Sequence, residues 1–148
     1  MLGLAPSVSA GRPVETSGSE FGDEPIGVDC GTFEVWDDFE LHWRGVEFYD
    51  DEGNLVRVVE HIWGVDRLYN PENGKSVSGT FNNSETVDLV NGRITENGSI
   101  FRIILPGSGA VFLDVGKFII SFETGLEFLA GRHDYFDGDT AALCAALA

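Results

Sequence analysis

Asp38, Glu40 and His42 fall at alternate positions of one short stretch, so in an extended chain they share a face. A carboxylate beside an imidazole orients the ring and raises its pKa, and such a set moves protons when protein encloses it. If that face lined an interior, the three would be a proton-transfer cluster; if it faced water, they would be a solvated polar face. Arg57, Glu60 and His61 form a second pool of candidate catalytic groups. Arg57 and His61 share a face with Val59 and Trp63, while Glu60 shares the other with Val56, Val58 and Ile62. Each face therefore sets an ionisable group among apolar neighbours, as a binding or catalytic group or as half of a salt-bridged structural pair. Asp114 interrupts an apolar stretch at 110–115 and raises the same question.

Trp36, Trp43, Tyr49, Trp63, Tyr69 and Phe101 are candidates to line a site for a small apolar or amphipathic molecule. Most of the aromatics nonetheless belong in a core. Trp36 stands on the otherwise acidic face of its stretch and marks a contact patch. Other chemistries lack residues. There is no Gly-x-Ser-x-Gly elbow, no Gly-rich phosphate loop and no Cys-x-x-Cys, and His42, His61 and His133 have no helical ligand spacing. Asp50-Asp51-Glu52-Gly53-Asn54 and Asp137-Gly138-Asp139 offer oxygens but lack the terminal Glu of a calcium loop, and read as turns. Neither a metal nor a cofactor is expected.

The chain has 148 residues, enough for one domain with a real core, and a formal charge of −16. That charge argues against nucleic acid as a partner and against anionic membrane surfaces. No run approaches the roughly 18–20 apolar residues that insert in a membrane. Val8 and Ala10 have the small-x-small spacing of a signal-peptidase site, without the charged start and apolar region that precede one. The start of the chain is either the remnant of an export signal or an ordinary tail. Cys30 and Cys144 read as a disulfide in an exported protein, or as two unrelated buried thiols. The sequence leaves the oligomeric state undetermined.

These side chains need elements to hold them. Residues 1–29, rich in Gly, Ser, Pro and Glu, read as a disordered or loosely packed N-terminal arm, and 30–148 as a single domain. Within that domain, 32–43 alternates with period two, and Phe33, Val35, Phe39, Leu41 and Trp43 fall on one face. Further strands are expected at 46–49, 55–68, 76–81, 86–90, 99–105, 110–115, 118–122 and 126–130, with Gly64 marking a bulge or bend. Asn70-Pro71-Glu72-Asn73-Gly74 is a turn, and Asp139 or Thr140 caps a short C-terminal helix. The sum is an all-β fold: an antiparallel meander β-barrel of about eight strands with one short helix, a β-sandwich being the alternative.

Cys30-Gly31, Asn70-Pro71-Glu72-Asn73-Gly74-Lys75, Pro106-Gly107-Ser108-Gly109, Gly131-Arg132-His133-Asp134 and the final 139–147 with Cys144 together resemble a group of uncharacterised exported β-rich proteins of actinobacteria. The resemblance covers about residues 30–147. It implies export and a β-rich domain and brings no catalytic residues. A looser likeness, in strand count and length, is to small barrels of the lipocalin, allene-oxide-cyclase and dirigent type. Three functions follow as expectations. The first is a secreted barrel that binds a small apolar or amphipathic ligand. The second is a cofactor-free cyclase, isomerase or hydratase using an Asp/Glu–His pair. The third is a protein-interaction or assembly module.

Overall fold

The structure is a computed structural model that describes residues 11–134 and 138–148. It is all-β apart from one helix: β1 (Val14–Asp29), β2 (Glu34–Tyr49), β3 (Leu55–Tyr69), β4 (Ser76–Asp88), β5 (Arg93–Leu105), β6 (Gly109–Ser121), β7 (Gly125–His133) and α1 (Thr140–Leu147). Every strand pairs antiparallel with its predecessor, so the seven lie side by side in chain order. Short turns dictate this, because a tight turn can join only antiparallel neighbours. The Asp50 turn shows how such a connection is held. Asp50 Oδ1 accepts from the backbone N–H of Glu52 at 3.0 Å and of Asn54 at 2.8 Å.

Three expectations are corrected. First, in the segment expected to be a disordered or loosely packed arm, Val14–Asp29 is the ordered strand β1, paired alongside β2. Its small residues make room for its neighbour. A Cβ on Gly18 would stand 2.3 Å from the Trp43 ring, and one on Gly22 would stand 2.2 Å from the Phe39 ring. Val8 and Ala10, whose spacing resembles a signal-peptidase site, and Asp137 lie outside the described residues. Second, the strands among the described residues number seven. The chain runs straight through Gly45, Gly116 and the polar 82–85, where the sequence alone suggested breaks. Third, the β2–β3 and β3–β4 registers pass Gly64 unbroken. That glycine serves close packing, since the Phe81 ring would lie 2.4 Å from its Cβ. Among the described residues no ladder joins β1 to β7, so the hydrogen-bonded sheet is open, and its form is compatible with a barrel or a sandwich.

The strands' alternation sets one face inward. On β2 it carries Val35, Asp37, Phe39, Leu41 and Trp43, and the register carries it on to Ile62, Gly64, Asp66 and Leu68 of β3. The β4–β5 ladder joins 82–88 to 93–99 and goes no further. Beyond it, Phe33, Val35 and Leu68 from one side meet Phe101, Ile103, Leu105, Val111 and Phe112 from the other. Leu143 and Leu147 of α1, both fully buried, complete this core. The helix is held at both ends. Asp139 Oδ1 accepts from Ala142 N–H at 2.9 Å, and the Asn70 and Asn73 side-chain amides each donate to Leu147 O at 3.1 Å. The Cys30–Cys144 disulfide is made and ties α1 to the β1–β2 turn. No helix among the described residues is long and apolar enough to cross a membrane.

Candidate functional site

Next to this core the inner face leaves a cavity of about 660 Å³. Its walls are apolar: Phe39 and Leu41 of β2, Ile62 of β3, Phe81 of β4, Ile100 and Phe101 of β5 and Phe112 of β6. Asp29 of β1 and Thr140 of α1 also line it, and four polar side chains of the sheet's inner face interrupt the walls: Asp37 of β2, Asp66 of β3, Asn83 of β4 and Glu96 of β5. Each lies in the inward phase of its strand, so register aims it at the cavity.

Asp37 and Asp66 are 8% and 7% exposed. Asp37 Oδ1 accepts from Arg67 N–H at 3.1 Å, whereas Asp66 Oδ2 is buried and meets no donor. Burial first, and then the neighbouring Asp37, push the Asp66 carboxyl up to about 7; burial also raises Asp37. The guanidinium that would relieve them points away. Arg67 Nη1 donates to Asp38 Oδ2 at 3.2 Å on the outer face.

A second acidic group lies further along the same face. Glu60, Glu85 and Glu96 stand directly opposite one another on three neighbouring strands. Like charges so placed oppose pairing. Burial, then Glu85, raise Glu96 to about 7, and burial also raises Glu60. Asn83 Nδ2 donates to Glu96 Oε2 at 3.3 Å. Asp114 finds His133, whose Nδ1 donates to Asp114 Oδ1 while Nε2 donates to Ala130 O at 3.0 Å. Both ring nitrogens face oxygen acceptors, an arrangement that favours the imidazolium. Burial pulls the His133 pKa down, but these two acceptors prevail and it stands raised. Among the described residues no three His, Cys, Asp or Glu side chains converge as metal ligands.

The residues singled out by spacing are distributed over both faces. Asp38, Glu40 and His42 share one face, as expected, and it is the outer one; His42 Nε2 donates to Glu40 Oε1 at 2.8 Å. Trp63 and His61 are outward too. Trp63 stacks between His42 and His61, with ring centres 5.8 and 5.4 Å away. Arg57 lies over the Phe48 ring at 4.2 Å, remote from that stack in register. Trp36 and Tyr69 pair across β2–β3 on the same outer surface, and the Tyr69 hydroxyl donates to Asp23 at 2.8 Å. Glu60 and Trp43 are inward but outside the cavity lining, and the Tyr49 hydroxyl donates to Glu47 at 2.5 Å. Of the candidate ligand-binding aromatics, Phe101 lines the cavity.

Spacing did not single out Asp37, Asp66, Asn83 or Glu96. The signal was present for the first two: Asp37 sits in phase with Val35 and Phe39, and Asp66 with Ile62 and Leu68. A carboxylate in the apolar phase of a strand is the pattern that marked Asp114. No protein-family model, curated protein or solved structure matches the chain.

Proposed function

We propose that this protein is a secreted binder of a small apolar or amphipathic molecule held in the cavity between β2–β3 and β5–β6. The single observation that carries this reading is the cavity itself: about 660 Å³, walled by aromatic and aliphatic side chains, with a few convergent polar groups. That is the usual make-up of a small-molecule site. An assembly module would have no use for an unfilled interior. The disulfide supports export, since such bonds persist in oxidising compartments.

A second reading has its own observation. Asp37 and Asp66 form a carboxyl pair whose environment holds a proton near neutral pH, as a general acid–base does. A cofactor-free isomerase, cyclase or hydratase would place its substrate against that pair. Glu40 and His42, on the outer face, do not line this cavity.

Native mass spectrometry of the protein secreted from an oxidising host tests both readings. A small molecule travelling with each chain supports binding, and its chemical change on incubation supports catalysis. An empty chain that also fails to take up apolar probes overturns both.

A further inference from the structure

We propose that two copies of this chain pair antiparallel along β7, Ala130 facing Ala130, and continue the sheet across a two-fold axis. The proposal goes beyond the ligand-binding reading and does not depend on it.

Among the described residues β7 has a strand on one side only. Asp134 N–H donates to Leu113 O at 3.3 Å, one step past the Asp114–His133 pair. In the alternation of an antiparallel ladder, the even-numbered residues from Phe128 on therefore bond to β6. Leu129 and Gly131 turn their N–H and C=O groups to the open edge. The side chains are bare as well. Residues 125–132 are all exposed, Leu126 by 60%, Phe128 by 46% and Leu129 by 52%. Leu129, paired with Phe118, lies on the inner face, and Phe128 lies on the outer one. An edge that is apolar on both faces is a template for another strand.

Charge selects the occupant. The opposite edge, β1, carries Glu15, Glu20, Asp23, Glu24 and Asp29, with Pro25 and no Lys or Arg. Such residues guard an edge against pairing. Two chains of charge −16 repel, so they meet best where charge is balanced. On β7 it is: Glu127 pairs with Arg93 at 2.9 Å, and Arg132 with Asp134 at 2.5 Å. The strand also complements itself. Centred on Ala130, the pairing sets Phe128 of one copy opposite Arg132 of the other, a cation against an aromatic ring. It sets Leu129 opposite Gly131, a large side chain against bare backbone, and joins the two residues whose backbone groups are free. A two-fold axis repeats each contact and closes the assembly, leaving the guarded β1 edges outside.

One short strand pair is a small interface, so a dissociation constant on the order of 10–100 µM is expected. Sedimentation velocity of the disulfide-intact chain across that range should show a monomer–dimer equilibrium. It should tighten with added salt, which screens the repulsion between two acidic bodies. Leu129→Lys, at an exposed edge position, should weaken the dimer about tenfold or more and leave the melting temperature unchanged. Ala130→Cys tests the register without disturbing the edge. Its thiols meet across the axis with Cβ atoms about 4.5–5.5 Å apart, so mild oxidation should cross-link it faster than Phe128→Cys. A monomer throughout the range overturns the proposal and leaves the edge to a different protein. A dimer that Leu129→Lys leaves intact overturns it too, as does Ala130→Cys cross-linking no faster than Phe128→Cys. The cavity reading stands under each of these results.

Discussion

Asn70 and Leu147 lie 77 residues apart and meet at the end of α1, where Asn70 Nδ2 donates to the Leu147 carbonyl at 3.1 Å. Asn70 is 3% exposed, and its Oδ1 accepts from Glu72 N–H at 2.9 Å. One side chain thus shapes the turn after β3 and closes a helix end. Asn70→Ala should cost about 1–3 kcal/mol, because it strips a buried donor from an acceptor and a turn N–H of its partner. Urea unfolding measures this, and an unchanged midpoint would show that the contact contributes nothing.

The Cys30–Cys144 bond closes a long loop, with a sequence separation of 114. Replacing both cysteines by serine should lower stability by about 2–5 kcal/mol. Adding reductant to the unmodified chain should reproduce the loss. If neither treatment moves the denaturation midpoint, α1 is held by its packing alone.

Stability should fall as pH rises from about 5 to about 8. Asp66 and Glu96 sit near 7 in the folded chain, against ordinary values of 3.8 and 4.5. Between those limits the folded chain keeps protons that the unfolded chain has released, so raising pH favours unfolding. His133 acts the same way: its raised value adds stability below the ordinary 6.5 that is lost as pH rises through the folded value. Asp50 and Asp88, lowered by their Asn54 and Asn91 partners, act oppositely, and only once pH falls below 3.8. Calorimetry should show a higher melting temperature at the acid end of the window and a shallower slope for Asp66→Asn. A melting temperature that climbs towards pH 8 would contradict the burial of these carboxyls.

Gly64→Ala should be disruptive despite its single added methyl. The new Cβ would stand 2.1 Å from Glu40 O and 2.4 Å from the Phe81 ring. Backbone cannot step aside as a flexible side chain does, so a cost of about 1–3 kcal/mol is expected. Thermal melting of the variant checks it, with Gly53→Ala, at a turn open to solvent, as a comparison for backbone strain alone.

The outer-face pair should be silent in ligand binding. Glu40→Gln and His42→Ala change residues on the face opposite Asp37, Phe39 and Leu41, so affinity should stay within about twofold. A larger loss in titration would move the site to the outer surface where Trp63 stacks between His42 and His61.

Part of this was legible from residue types in order. Alternation put Val35, Phe39, Leu41 and Trp43 on one face and Asp38, Glu40 and His42 on the other, leaving open which faced inward, and the helix cap was narrowed to Asp139 or Thr140. The strand β1 was not, because its Gly18 and Gly22 look like linker residues until Trp43 and Phe39 are seen lying across them. The carboxyl pair was hidden for a similar reason. Asp37 and Asp66 come together only through the β2–β3 register, and the wall facing them arrives with β5 and β6. Those are long-range facts, and local spacing cannot encode them.

The chain-order sheet bears on how the molecule reaches this state. Each strand finds its partner one hairpin away, so the sheet can zip up locally with little loop-closure cost. Three distant ties, Cys30–Cys144, Asn70–Leu147 and Asn73–Leu147, all land on α1. We therefore expect helix docking to be the last and slowest step of refolding, and an oxidant to change the rate of that step alone. Stopped-flow refolding in which the oxidant instead altered the earliest phase would refute that order.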